Sequence, residues 1–180
     1  LVDADLRRPT VHQTFGVSNR YGLSNIITSS SSTVNVSEMI DKTEIENLDV
    51  LTSGPIPPNP AELLGSERLS QLLDFLREKY DFIILDAPPV DTVTDGQIVG
   101  TRADGVVLVT PQGIATKDAV MRAVKLLQRV NANILGVIMN RFTAQEAGGY
   151  YGSYYGNYYG DSYYGTDDSS KRESKKRGKK

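Results

Sequence analysis

The sequence predicts a doubly wound α/β domain with a mostly parallel sheet, followed by a disordered C-terminal tail. Three observations carry that reading. Apolar runs within Tyr80–Asp86, Gly105–Val109 and Ile134–Met139 are rich in Val and Ile and do not alternate with polar residues, as in strands covered on both faces. Segments of helical periodicity stand between these runs, which is the order of βαβ units and a parallel sheet. From residue 148 aliphatic side chains almost vanish and Gly, Tyr, Ser and Lys take over. Such a segment buries too little to offset its ordering entropy.

In chain order, Leu1-Val2 reads as the end of a strand. The chain opens inside an apolar run without an initiator Met, so it is expected to be cut from a longer protein. Ser24–Met39 reads as a helix followed by a polar, mobile loop, and Leu48–Thr52 as a short strand. Gly54–Pro60 holds four prolines in seven residues and predicts an extended surface loop. Ser66 can cap a helix whose Leu69, Leu72, Leu73 and Leu76 fall at i, i+3, i+4 and i+7. The next strand ends at Asp86, just before Pro88-Pro89, and the one after it at Thr110-Pro111. Thr116 can cap a second helix, with Asp118 in its first turn and Val120, Ala123, Val124 and Leu127 on one face. The last strand ends at Asn140.

Composition bounds the function. The chain has no Cys and one His, which excludes a disulfide scaffold and a Cys-based metal site. His12 reads as a surface or packing residue. No apolar stretch approaches the roughly 18 residues of a membrane span, and no signal peptide opens the chain. Three regions follow: a body over 1–147, a Tyr/Gly-rich cluster over 148–166 and a basic tail over 167–180. Residues 1–149 hold 13 basic and 18 acidic side chains, whereas the last ten residues carry +6. The tail reads first as a solvated end, with weak pairing to anionic lipid or phosphotyrosine second. No specific nucleic-acid partner is expected.

The chemistry lies where the strands end. In an open parallel sheet, ligands bind beyond the carboxyl ends of the strands. Asp3 and Asp5 follow the first strand, Asp86 the strand before the prolines, and Asn140-Arg141 the last. Acids gathered there without His or Cys suit a hard cation such as Mg²⁺, and Mg²⁺ suggests a nucleotide phosphate. Each residue alone is a weak signal. An Asp after a strand is as often a cap, Asn140 could simply end its strand, and Asp-x-Asp also serves as the metal motif of nucleotide-sugar glycosyltransferases. The combination outweighs its members.

The tyrosines add a second signal. Tyr150, Tyr151, Tyr154, Tyr155, Tyr158, Tyr159, Tyr163 and Tyr164 come in pairs between Gly and small polar residues. Such a chain is flexible enough to thread a phenol into a neighbour's cleft. Each phosphate would add about −1.5 to −2 charge, enough in sum to invert the local charge and switch an assembly contact. Sticky low-complexity segments of this composition also exist without any kinase.

LVDADLRRP (Leu1–Pro9) resembles the second nucleotide-binding signature, Walker A′, of bacterial tyrosine kinases, and FIILDAPPV (Phe82–Val90) resembles their Walker B. GPIPPNPAELL (Gly54–Leu64) and the closing Tyr cluster resemble that family too. Ile138–Arg141 is similar to the Asn-bearing strand end of MinD-like ATPases. Together these features resemble the cytoplasmic autokinases of capsular and exopolysaccharide assembly, of the CpsD/CapB type. The resemblance implies a P-loop NTPase fold of the MinD/ParA-like type that binds ATP and Mg²⁺ and phosphorylates its own tyrosine cluster in a neighbouring subunit. It also implies a membrane adaptor of the polysaccharide co-polymerase type that activates it at the inner face of the plasma membrane. A homo-oligomeric ring when unphosphorylated and a cognate tyrosine phosphatase complete the picture. Carried over by position, Asp3 would orient or deprotonate the tyrosine hydroxyl and touch the metal's water shell. Asp5 would organise the same site, Asp86 would hold Mg²⁺ through water, and Asn140 would meet the adenine edge. Arg7 is left between structural pairing and phosphate contact.

One departure is large: no GxxxxGK[ST] occurs in the 180 residues. In the family that phosphate-cradling loop precedes Walker A′. The 180 residues alone are therefore expected to bind ATP poorly, to fold poorly and to be inactive. The competing readings are a MinD/ParA-like positioning ATPase, which has no need of the tyrosines, and a non-enzymatic regulator with a defunct kinase core. A glycosyltransferase explains neither the second Asp motif nor the tyrosines.

Overall fold

The computed structural model describes residues 1–29, 35–113 and 115–141. The chain divides into two units, Leu1–Ile138 and Met139–Lys180. The Tyr cluster and the basic tail lie outside the described residues, as does the SSSS segment from Ser30 onward.

The apolar start of the chain becomes one of the two inner strands of a four-stranded sheet. β1 (Val2–Asp3) lies between β3 (Asp49–Leu51) and β4 (Leu85–Asp86), parallel to both, and β2 (Ile40–Lys42) runs antiparallel along the outer side of β3. The order is β2-β3-β1-β4. Backbone bonds from Val2 to the Ile84 carbonyl (2.8 Å), from Ala4 to the Asp86 carbonyl (2.8 Å) and from Leu51 to the Leu1 carbonyl (2.9 Å) fix the register. β5 (Val106–Pro111) and β6 (Ile134–Asn140) form a separate two-stranded sheet.

The helices are α1 (Val11–Phe15), α2 (Leu23–Thr28), α3 (Pro60–Leu64), α4 (Glu67–Arg77), α5 (Asp95–Gly100) and α6 (Lys117–Arg129), with a 3₁₀ turn at Val36–Met39. In α4 the expected stripe Leu69, Leu72, Leu73 and Leu76 is buried, and each such leucine contributes about 1.5–3 kcal/mol. These side chains join Val2, Leu6 and Leu51 in the main core. Ser66 occupies the N-cap position, but its hydroxyl donates to the Leu63 carbonyl (2.6 Å) instead of accepting from the helix. Thr116 does cap α6, accepting from the Ala119 N–H at 3.2 Å. Pro60 opens α3 at its first position instead of extending the loop, because proline's missing N–H costs nothing there.

The structure corrects the expected burial. Unbroken apolar runs predict strands covered on both faces, yet Phe82, Ile84, Val107, Val109, Leu135 and Val137 are exposed. Exposed and partly covered residues alternate along 82–85, 106–109 and 134–137, and 137–140 are exposed in a row. Only Leu85–Asp86 of the Tyr80–Asp86 run is paired as strand.

The end of the sheet away from the acids holds a second polar knot. The Tyr80 hydroxyl donates to Asp49 Oδ2 at 2.7 Å, and Lys42 Nζ donates to the same oxygen at 2.6 Å. The Lys42 hydrogen bond pulls the Asp49 pKa down. Burial first, then the Asp49 bond and charge, push Tyr80 up to about 12. The fold thus favours the neutral phenol. Its contribution is complete below pH 10, the phenol's ordinary value, and is lost as the pH rises through about 12. Tyr80→Phe should cost about 1 kcal/mol near neutrality and should flatten that alkaline decline, as read from denaturant midpoints on both sides of pH 10.

A close approach fixes the loops beyond β3. The N–H groups of Leu23 and Ser24 donate to the Thr52 and Ser53 carbonyls, each at 2.8 Å, and Asn19 bonds Gly54 through both ends of its amide. Between these contacts lies Gly22, where an added Cβ would drive into the Thr52 carbonyl oxygen and the Gly54 nitrogen. Backbone on both sides cannot yield cheaply, so Gly22→Ala should destabilise the chain by about 2–4 kcal/mol in equilibrium unfolding.

Candidate active site

β1 and β4 end side by side, and so do their acids. Asp3 and Asp86 are register partners in the parallel ladder, on strands about 4.8 Å apart. Asp5 lies two residues on, where the chain turns out of the sheet. Neighbouring strands thus deliver acids from residues 3 and 86 to one carboxyl edge.

The three carboxylates differ in their surroundings. Asp3 has no exposed surface. Its Oδ1 accepts from the Asp5 N–H and its Oδ2 from the Val11 N–H, each at 3.2 Å, so it ties the turn to the start of α1. Burial raises its pKa. The two N–H bonds oppose that rise, and the negative charges of Asp86 and Asp5 add to it. Asp5 Oδ1 accepts from the N–H groups of Arg7 (3.0 Å) and Arg8 (2.9 Å), while its Oδ2 has no hydrogen-bond donor among the described residues. Asp86 is exposed, and no donor among the described residues reaches its carboxylate. Partial loss of hydration by nearby protein atoms raises its pKa, and the Asp5 charge raises it further.

An all-carboxylate donor set fits a hard cation such as Mg²⁺. Among the described residues no three acidic or imidazole groups converge closely enough to ligate an ion directly. Contact through the ion's waters is the mode that fits, since Mg²⁺ gives up its water shell reluctantly.

Arg7 is committed elsewhere. Its Nε donates to Asp95 Oδ2 at 2.8 Å and its Nη2 to Asp95 Oδ1 at 3.0 Å. Of the two roles left open for Arg7, structural pairing is the one this geometry displays. Asp95, fully buried at the head of α5, went unnoticed in the sequence. No strand end or motif marks it, and only its acidity within an apolar helix could have drawn the eye. Asn140 closes β6, and its Oδ1 accepts from the Arg141 N–H at 2.8 Å. His12 is half-buried in α1, and its Nδ1 has no partner among the described residues. All eight candidate acceptor tyrosines lie outside the described residues.

A mostly parallel sheet with paired acids at its carboxyl edge is the arrangement expected of a P-loop NTPase domain of the ParA class. The family described as ParA, NUBPL iron-transfer P-loop NTPase, matches residues 1–154. Within that class the chain belongs to the bacterial tyrosine-protein kinases. It is 42% identical over 154 residues to tyrosine-protein kinase YwqD of Bacillus subtilis (strain 168), covering 84% of this chain and 64% of that relative. Among solved structures it is similar to the kinase domain of the Escherichia coli tyrosine kinase ETK, with 37% identity and a TM-score of 0.72 over 77% of this chain and 53% of that one. It is similar as well to the VpsO kinase domain, with 34% identity and a TM-score of 0.72 over 79% of this chain and 69% of that one. The chain therefore spans somewhat under two thirds of the Bacillus relative's length.

Proposed function

We propose that this chain is part of an ATP-dependent protein-tyrosine autokinase. The complete protein would regulate the assembly and export of a capsular or exopolysaccharide. It would pass the γ-phosphate of ATP to the tyrosines between Tyr150 and Tyr164 of a neighbouring copy. The observation that carries the reading is the in-register pair Asp3 and Asp86 with Asp5 beside it. Kinship with tyrosine-protein kinases and the tyrosine cluster support it.

Phosphoryl transfer asks the protein for in-line positioning and charge neutralisation. Mg²⁺ bound with ATP supplies Lewis acidity at the phosphoryl oxygens. Asp86, open to solvent, would hold that ion through water, and the buried Asp3 behind it would add its negative charge. The phenolic oxygen forms its bond to the γ-phosphorus as the bond to ADP breaks, and its proton passes to a carboxylate. Asp3 has the raised pKa that suits a proton acceptor. It lacks exposed surface, however, so the free Oδ2 of Asp5 is the better placed to meet the hydroxyl. Asn140 remains the candidate for the adenine edge. A membrane adaptor would hold the protein at the inner face of the plasma membrane. Phosphorylation of the cluster would dissolve a ring of subunits, and a tyrosine phosphatase would reset it.

The test uses the complete protein with its adaptor, ATP and Mg²⁺, with phosphopeptides read by mass spectrometry. Label should fall within Tyr150–Tyr164 and drop to background when all eight tyrosines are changed to Phe. Label on Ser or Thr would overturn the reading.

The ParA match favours a second reading, a positioning ATPase, for which ATP turnover without phosphotyrosine would speak. These 180 residues hold no Cys to ligate an iron–sulfur cluster.

A further inference from the structure

We propose that Asp95 is a positioning residue for the carboxylate site, acting through Arg7 to hold the Asp3–Arg8 turn against the loop that follows Asp86. The inference rests on the reading of Asp3, Asp5 and Asp86 as the phosphotransfer site and names what sets their spacing.

Two loops carry the acids, and the head of α5 touches both. On one side Asp95 grips Arg7 with two charge-assisted bonds of 2.8 and 3.0 Å. The Arg7 N–H in turn donates to Asp5 Oδ1, and the Asp5 N–H to Asp3 Oδ1. The fork, the turn and the two acids are thus one hydrogen-bonded chain. On the other side Gly96 sits so close to the loop after Asp86 that an added Cβ would lie 2.8 Å from the Pro88 carbonyl oxygen and 3.3 Å from Val90 Cγ2. Gln97 Nε2 donates to the Val90 carbonyl at 3.3 Å. Three consecutive residues of one short helix therefore hold the loops on both sides of the site.

Burial explains why the grip is firm. Asp95 has no exposed surface, while the Arg7 side chain is 41% exposed. Among the described residues only Arg7 donates to the Asp95 carboxylate, so swinging the guanidinium away would leave a buried anion without a partner. The planar fork matches both oxygens at once, a match lysine cannot reproduce. Arg7 is thereby held off any phosphate and serves as a strut.

The experiment compares Arg7→Lys and Asp95→Asn with the complete wild-type protein and its adaptor. Arg7→Lys keeps the charge and leaves most of the side chain's exposure unchanged, so it is the variant more certain to fold. In both, kcat for tyrosine phosphorylation should fall at least about tenfold, because small misplacements of catalytic groups are costly. The KM for ATP should stay within about twofold, as expected when an interaction acts on the transition state rather than on ground-state binding. Amide hydrogen exchange supplies a readout independent of turnover. Arg7, Arg8 and Val11, whose N–H groups the two acids hold, should exchange at least about tenfold faster while the α4 amides keep their protection. The double variant should lose no more than the worse single one. A rise in the KM for ATP with kcat intact would make Arg7 a phosphate ligand and overturn the proposal. Unchanged kcat and unchanged local exchange in Arg7→Lys would also overturn it, as would exchange that rises throughout the core. A wild-type protein that labels no tyrosine would sink the kinase reading alone, since local exchange would still report on the strut.

Discussion

Asp86→Asn in the complete protein should abolish tyrosine phosphorylation, with kcat/KM down at least about 100-fold, the scale seen when a preorganised charge is removed from a reacting site. Its unfolding midpoint should barely move, because surface substitutions without partners stay within about 0.5 kcal/mol. Asp86 is exposed, and no donor among the described residues reaches its carboxylate. Its backbone carbonyl, which accepts from Ala4, is untouched by the change. Losing the charge should even relieve crowding, since partial loss of hydration and then the Asp5 charge hold the Asp86 pKa up. Asp3→Asn makes the useful contrast. Asp3 is buried and accepts from Val11 and Asp5. An amide can present its one oxygen to only one of those N–H groups and turns its NH₂ toward the other. The loss of activity should therefore come with a loss of stability of about 1–3 kcal/mol, the cost of an unsatisfied buried donor. Phosphotyrosine yield and denaturant melts on the same preparations separate the two. An active Asp86→Asn protein would remove the central assumption of the site.

The same contrast shows what the sequence made legible. Strand ends were readable because a buried apolar run stops where the chain leaves the sheet, and the fold then places whatever follows on one edge. That logic brings Asp3 and Asp86 to one edge, and the ladder makes them register partners. Apolar residues at helical spacing, four leucines in α4 and Val120, Ala123, Val124 and Leu127 in α6, make both helices readable from their N-cap positions. The antiparallel strand β2, Ile40–Lys42, was missed because three residues with one apolar side chain carry no period. The short helices α1 and α5 were missed for the same reason. Asp95 was missed because its meaning lies in a partner 88 residues away, and no local pattern encodes that distance. Burial on both faces was over-read: periodicity reports how apolar a strand is, whereas cover depends on what packs against it.

That uncovered surface bears on the second large effect. The 180 residues alone should bind Mg²⁺-ATP at least about 100-fold more weakly than the complete protein, a gap that two lost charge-assisted hydrogen bonds of about 1.5–3 kcal/mol each would produce. In P-loop proteins the triphosphate is cradled by backbone N–H groups of a glycine-rich loop and by its lysine, and no GxxxxGK[ST] lies in this sequence. What the described residues offer at the sheet edge is three carboxylates, which repel a bare triphosphate and can meet it only through a shared cation. The strands behind them are open as well. β4 is the outermost strand of its sheet, β5 and β6 pair apart from it, and Phe82 at 87% exposure and Ile84 at 63% stand in water beside β4. An apolar surface of that kind binds hydrophobic dyes and draws chains together. Calorimetric titration of the 180-residue chain with Mg²⁺-ATP should give no saturation at micromolar concentrations, and a naphthalene-sulfonate dye should brighten on it far more than on the complete protein. Micromolar nucleotide affinity together with a dark dye would mean that these residues close their own sheet and hold phosphate by groups no motif here reveals.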